Sequence, residues 1–180
     1  RRSIILGLIL GLLIAGGSVI STTTTKKTNT NVLSGREGVN GPVLVVKIDD
    51  TTQAHPQVGL EDADIVYIEQ VEGGLTRLAA VFSSTIPQRI GPVRSARISD
   101  IEILSQFGRV AFAYSGAQRK LLAVIAEANL QDLGAQRQSP TIYTTDPNRI
   151  PPYAMVLRAD LLMEKIIEKN YVIDSAKSIG

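Results

Sequence analysis

Cysteine and tryptophan are both absent from this 180-residue chain, and histidine occurs once. Without cysteine there is no disulfide, no thiolate metal ligand and no lipidated cysteine. With His55 as the sole imidazole, a multi-histidine metal centre cannot form within the chain. Most Ser-His and Cys-His nucleophile systems are excluded for the same reason. Thr76, Ser95 and Ser115 are therefore poor nucleophile candidates. Aromatic residues make up only 4%, which leaves few rings on which bases could stack. No cofactor motif stands out. Asp49-Asp50, the one adjacent carboxylate pair at the end of an apolar run, lacks the spacing of a calcium loop and reads as a turn or loop cap.

Positive charge is scarce outside the N-terminus. Five of the basic residues (Arg1, Arg2, Lys26, Lys27 and Arg36) face only Glu37 in the first 42 positions, a net +4. The remainder has 14 Lys/Arg against 16 Asp/Glu, a net −2. A slightly acidic body offers no basic face for phosphates, so nucleic acid is not an expected partner.

The first 20 residues are long in apolar character instead. Arg1-Arg2 precedes an uncharged run from Ile4 to Ile20, whose 17 residues would reach about 25 Å as a helix, close to the ~30 Å hydrocarbon core. Arginines on the N-terminal side keep that end cytoplasmic and send everything after Ile20 outside. The run is long for a signal peptide, and no clean Ala-x-Ala site follows Ala15-Gly16-Gly17-Ser18. A single-pass anchor is favoured over a cleaved signal, which would leave a secreted protein. Residues 21–42 begin with Thr, Ser, Lys and Asn, too polar to offset ordering entropy, and read as a tether. Residues 43–180 are enough for one domain with its own core.

Within that domain Val43–Ile48 is an apolar, β-branched run of strand length. Ile65–Val71 and Leu75–Ser83 are two further strands, joined at Glu72-Gly73-Gly74 into a hairpin. Ser99-Asp100-Ile101-Glu102 fits a capping box opening a helix that Gly108 stops, and Ser115 to Gln118 fits a second. Arg109–Tyr114 reads as a strand. The helix after Gln118 presents Leu121, Leu122 and Ile125 on one face. Gln131–Pro152 reads as a long loop, and Asp160–Lys169 as a last helix. The pattern predicts a mixed α/β fold, a single sheet with a β-hairpin and flanking helices, preceded by the N-terminal apolar helix.

Two dense clusters carry the chemistry. Gly91-Pro92-Val93-Arg94-Ser95-Ala96-Arg97 places Arg94 and Arg97 in the turn before the Ser99 helix, where free N–H groups and the helix dipole favour an anion. Arginine adds planar paired donors for phosphate or carboxylate. The same arginines serve equally well as scaffolding, paired with Glu72 or Asp64. Glu72-Gly73-Gly74-Leu75-Thr76-Arg77 supplies Glu72 and Arg77. Glu69 and Glu72 flank the end of a strand, Asp100 approaches if the first cluster folds over the hairpin, and paired carboxylates can do acid–base work. A glutamate beside a Gly-Gly turn is more often solvated or salt-bridged. The candidate ligand-binding set is thus Arg94, Arg97, Arg77, Glu72, Ser95 and Asp100. Tyr143, Tyr153 and Asn148-Arg149 could line a groove beside it or simply pack the loop.

These two strings resemble the YerB-like family, bacterial envelope lipoproteins carrying a domain of unknown function. The resemblance continues over Leu33-Ser34-Gly35, Val45 to Asp50, Pro56 to Leu60, Ala63 to Tyr67 and Asn148 to Val156. It departs at Ile68, where relatives commonly carry glutamate, and at Tyr114 and Tyr153, where many carry histidine. It departs again in having no cysteine to lipidate. The resemblance implies a place at the cell envelope and a further C-terminal domain beyond Gly180.

Three functions fit these readings. One is a membrane-tethered extracytoplasmic module holding an anionic envelope ligand or partner protein at Arg94 and Arg97. Another is an envelope-polymer hydrolase or transferase with Glu72 or Asp100 as general acid or base. The third is a structural module whose signature strings maintain the fold.

Overall fold

A computed structural model describes residues 29–179; the expected anchor at 1–20 and the start of the tether lie outside them. The first strand, β1 (Leu44–Asp49), is buried at every position. It forms the middle of a five-stranded sheet with β2 (Ile65–Gln70), β3 (Thr76–Phe82), β5 (Val110–Ala113) and β6 (Leu130–Asp132). The strand order is β2-β3-β1-β5-β6. The hairpin β2–β3 and the β1–β3 pair are antiparallel, whereas β1–β5 and β5–β6 are parallel. A strand covered on both faces reads as a continuous apolar run, which is why Val43–Ile48 stood out in the sequence.

The hairpin turns at Gly73 and Gly74, both at positive φ (74° and 72°), a conformation that glycine adopts without steric cost. Three helices cover the sheet: α1 (Ser99–Ser105), α2 (Arg119–Glu127) and α3 (Ala159–Glu168). Neither expected capping box forms. Ser99 is already helical and Gln118 precedes α2, with no side-chain cap at either end. Asp100 instead accepts from the backbone N–H of Arg97 at 2.6 Å, and the Ser115 hydroxyl faces that of Ser95 at 3.5 Å.

Two features correct the expected single sheet. Residues 131–152 are no open loop, since they include the end of β6 and all of β7 (Tyr143–Thr145). A second, antiparallel sheet, β4-β8-β7, uses the short strands β4 (Arg89–Ile90) and β8 (Met155–Arg158). Alternation along β1 divides the core between the two faces. Val43 and Val45 pack with Leu104, Phe107, Leu121 and Ile125 beneath α1 and α2. Leu44, Val46 and Ile48 pack with Ile90, Leu157, Leu162 and Ile166 from the small sheet and α3.

Folded structure also begins before residue 43. Asn31 is fully buried and donates to the Val39 carbonyl at 2.7 Å. Asp64 accepts from the backbone N–H groups of Ser83 and Ser84 at 2.7 and 2.8 Å, so it closes the chain after β3 and takes no part in the site below. Among the described residues no helix is long and apolar enough to cross a membrane.

Candidate functional site

Strand register puts three charged groups side by side at one end of the sheet. Glu69 on β2 lies opposite Arg77 on β3, which lies opposite Asp49 on β1. All three continue the face that carries Val45, Ala79 and Tyr67, so a polar row caps the core under α1 and α2. Lys47, two residues before Asp49, shares that face and is fully buried.

The 91–97 segment folds over this row. Its backbone is tied down along its length: Asp49 N–H donates to Pro92 O at 2.9 Å, Arg94 N–H to Lys47 O at 2.9 Å, Val93 N–H to Met155 O at 2.8 Å and Ala96 N–H to Gly116 O at 2.9 Å. Val93 and Ala96 are buried in opposite cores. The Gly91–Pro92 peptide is cis. A side chain at Gly91 would crowd the Met155 carbonyl. Much of what makes this string distinctive is therefore demanded by packing.

Its two arginines and the first residues of α1 meet polar groups of the sheet and of the hairpin turn. Lys47 donates to Glu69 Oε1 and to Asp100 Oδ1 at 2.7 Å, while the Ser99 hydroxyl donates to Glu69 Oε2. Arg97 makes a forked pair with Glu72, Nε–Oε2 at 2.9 Å and Nη2–Oε2 at 2.8 Å. Arg94 Nε lies 2.8 Å from Asp49 Oδ2, without the alignment of a hydrogen bond. Arg77 is nearly buried, with its guanidinium donating to the Ser95 carbonyl at 3.1 Å. Among the described residues it has no carboxylate within salt-bridge distance. Four cations and four carboxylates thus interleave in one layer.

The environment separates these groups electrostatically. Burial pushes the Asp100 carboxyl up to about 6, against the pull of Lys47. At Glu69 burial works in the same direction, but the hydrogen bonds from Lys47 and Ser99 outweigh it and hold the group below its ordinary value. Glu72 is held low by its own backbone N–H and by Arg97. Burial, then the nearby Arg97 and Arg94, depress the Arg77 guanidinium, which still stays charged at any ordinary pH.

The structure brings the six candidate residues together, yet it divides them. Arg94 and Ser95 line a cavity of about 390 Å³, walled further by Ser115, Thr145, Pro152 and Met155. Arg77, Glu72, Arg97 and Asp100 do not line it. The helix start that favoured an anion is occupied by the carboxylate of Asp100 itself. Asp100, though raised, is fully buried against Lys47, so acid–base work on a ligand in the cavity has no path to it.

Other candidates scatter. Tyr143 is buried and donates to the Leu133 carbonyl at 2.6 Å, a packing role. Tyr153 lies beneath the Arg94 guanidinium, 5.9 Å from ring centroid to carbon. It also borders a second cavity of about 470 Å³ with Gln53, His55, Asn148, Arg149 and Ile150. Asp50 accepts from the Thr76 hydroxyl at 2.7 Å, as a loop cap would. Among the described residues no three His, Asp or Glu side chains gather where a metal could be held. Two residues were missed in the sequence, Lys47 and Thr145. A lysine inside Val-Val-Lys-Ile was a usable signal, because an unpaired lysine does not survive in a buried strand.

Comparisons with known proteins point one way. "Putative lipoprotein YerB" of Bacillus subtilis (strain 168) is 41% identical over 75 residues, which cover 42% of this chain and 22% of that protein. A crystal structure of the YerB protein from Bacillus subtilis superposes with a TM-score of 0.74 at 23% identity, over 83% of this chain and 53% of that one. Each match spans less than two thirds of the relative's length, and the structural likeness speaks for the fold. Residues 28–172 match the family described as "Protein of unknown function (DUF3048) N-terminal domain", and on that match this chain belongs to it.

Proposed function

We propose that this domain is an extracytoplasmic binding module, held at the cell membrane by its N-terminal apolar run, that takes an anionic group of an envelope ligand or partner protein at Arg94. Support for the location comes from that apolar run and from the lipoprotein name of its relative. The observation that carries the binding role is the placement of Arg94. Its side chain is one-fifth exposed on the wall of a 390 Å³ cavity beside the Ser95 and Ser115 hydroxyls. A guanidinium and hydroxyls on a concave surface of mixed polar and apolar lining are the ordinary makings of a ligand site.

A second reading is favoured by the charge interleaving. A layer in which Lys47, Arg94 and Arg97 each face a carboxylate and Arg77 holds the Ser95 carbonyl is what a scaffold needs to seat the 91–97 segment, whether or not anything binds. Thermal unfolding of the full chain in mild detergent separates the two. Ligand at a hundred times its dissociation constant adds about 2.7 kcal/mol, a rise of ~5–10 °C for a chain of this size. On the binding reading an envelope anion raises the melting temperature of the wild type, and Arg94→Ala folds but loses the rise. No rise with any anion, together with early melting of Arg94→Ala, would leave scaffolding as the role of Arg94.

A further inference from the structure

The two cavities flank one loop. Pro151 and Pro152 line the first and Tyr153 the second. The Arg94 guanidinium bridges them, lying over the Tyr153 ring and near the Pro152 carbonyl at 3.4 Å. Resting on the binding reading above, we infer that the ligand is a short peptide segment captured by its C-terminal carboxylate, with the chain running from Arg94 across Tyr153.

Charge argues for a single anionic group. Among the described residues, Arg94 is the one charged residue lining the first cavity. Arg97 is committed to Glu72. Arg149, in the second cavity, donates to the carbonyls of Ala54 (2.8 Å) and Pro56 and pairs with Asp146 at 3.5 Å. A phosphate polymer would bring many charges to a surface whose one lining cation, Arg94, already has its Nε 2.8 Å from Asp49 Oδ2. A lone carboxylate matches Arg94, with the Ser95, Ser115 and Thr145 hydroxyls as further donors.

The rest of the lining argues for a peptide. The first cavity has Val93, Ala154, Met155 and two prolines for its apolar part, which suits an aliphatic side chain next to the carboxylate. Beyond Tyr153 the second cavity offers the amides of Gln53 and Asn148, which donate and accept as peptide groups require. Capture of a terminal carboxylate is a recurring mode of peptide recognition.

Titration by NMR of the full chain in mild detergent tests this, with acetyl-tripeptides ending in Ala, Val or Leu of either hand. Each is compared with its C-terminal amide, with tripolyphosphate and with a galacturonic acid trimer. The expected result is binding of at least one free acid, more than tenfold weaker for its amide and for the Arg94→Lys protein. Tyr153→Leu weakens the tripeptide toward the affinity of the matching dipeptide. Equal binding of acid and amide would overturn the inference, since the carboxylate would not be what is read. Arg94-dependent binding of tripolyphosphate or the uronic acid trimer, with every peptide inert, would overturn it while leaving the anion site standing. If no probe binds, both fall together.

Discussion

Lys47 sits on the central strand where its neighbours are valine and isoleucine, and its ammonium is stable there only because Glu69 and Asp100 reach it from two other elements. Replacing both partners and the lysine by neutral groups need not cost much, but removing one partner strands the others. Lys47→Met, which leaves two carboxylates together in the core, is expected to lose about 3–5 kcal/mol in urea unfolding at pH 7. The triple change Lys47→Met, Glu69→Gln, Asp100→Asn is expected to recover most of that loss. Asp100 also imposes a pH dependence. Its carboxyl titrates at about 6 in the folded protein against 3.8 ordinarily, so between those values the native state holds a proton that the unfolded chain has released. Stability from this group is therefore highest below about 4 and falls as pH rises to about 6, by about 3 kcal/mol at 1.36 kcal/mol per pKa unit. Glu69, held low, acts oppositely, but only as pH falls below its ordinary 4.5. From pH 4.5 to 6 the melting temperature of the wild type should thus slope downward relative to Asp100→Asn. Parallel curves would show that Asp100 is not the group responsible.

At the level of elements, the same substitution tests two different constraints. Gly73→Ala places a methyl group in open space but at positive φ, a backbone cost of about 1–2 kcal/mol. Gly134→Ala sets a Cβ 2.6 Å from Tyr114 Cζ, and Tyr114 is buried and fixed by its hydrogen bond to Asp132 at 2.8 Å. The cost there is overpacking, about 1–3 kcal/mol. Chemical denaturation should find that Tyr114→Leu relieves the Gly134→Ala defect and leaves the Gly73→Ala defect unchanged. The Gly-Gly hairpin was readable in the sequence because its turn chemistry is local. The capping boxes misled because the hydroxyls of Ser99 and Ser115 found partners far along the chain, Glu69 and Ser95, that no local pattern contains. The small sheet was invisible for a related reason. Strands of two, three and four residues are too short to establish a period of two, and only their pairing with one another defines them.

Across the whole molecule, β1 belongs to both cores, with Val45 on one side and Val46 on the other. Damage to either core should then be felt as loss of a single cooperative unit. Leu162→Ala, on α3 and fully buried, is expected to cost 2–5 kcal/mol. Tyrosine fluorescence, undisturbed by tryptophan, and far-UV circular dichroism should give coincident unfolding curves for both wild type and variant. Separate transitions would mean that the small sheet and α3 form an independent unit.

The mixed α/β class, the central strands, the hairpin, the approximate helices and the family were legible in the order of residues, because alternation, turn glycines and the two dense strings are local properties. The residue order also placed Arg94 and Ser95 among the candidate residues and leaves no cysteine within these 180 residues. Which cation meets which carboxylate depends on the folded chain, since Glu69, Arg77 and Asp49 become neighbours through strand register and Lys47 meets Asp100 through the fold of α1 above it. Folding alone divided the arginines, leaving Arg94 on a cavity wall and committing Arg97 to Glu72. The side-chain types were legible, but their distances were not, because an ion pair is a contact between positions up to 53 residues apart that chain folding brings together.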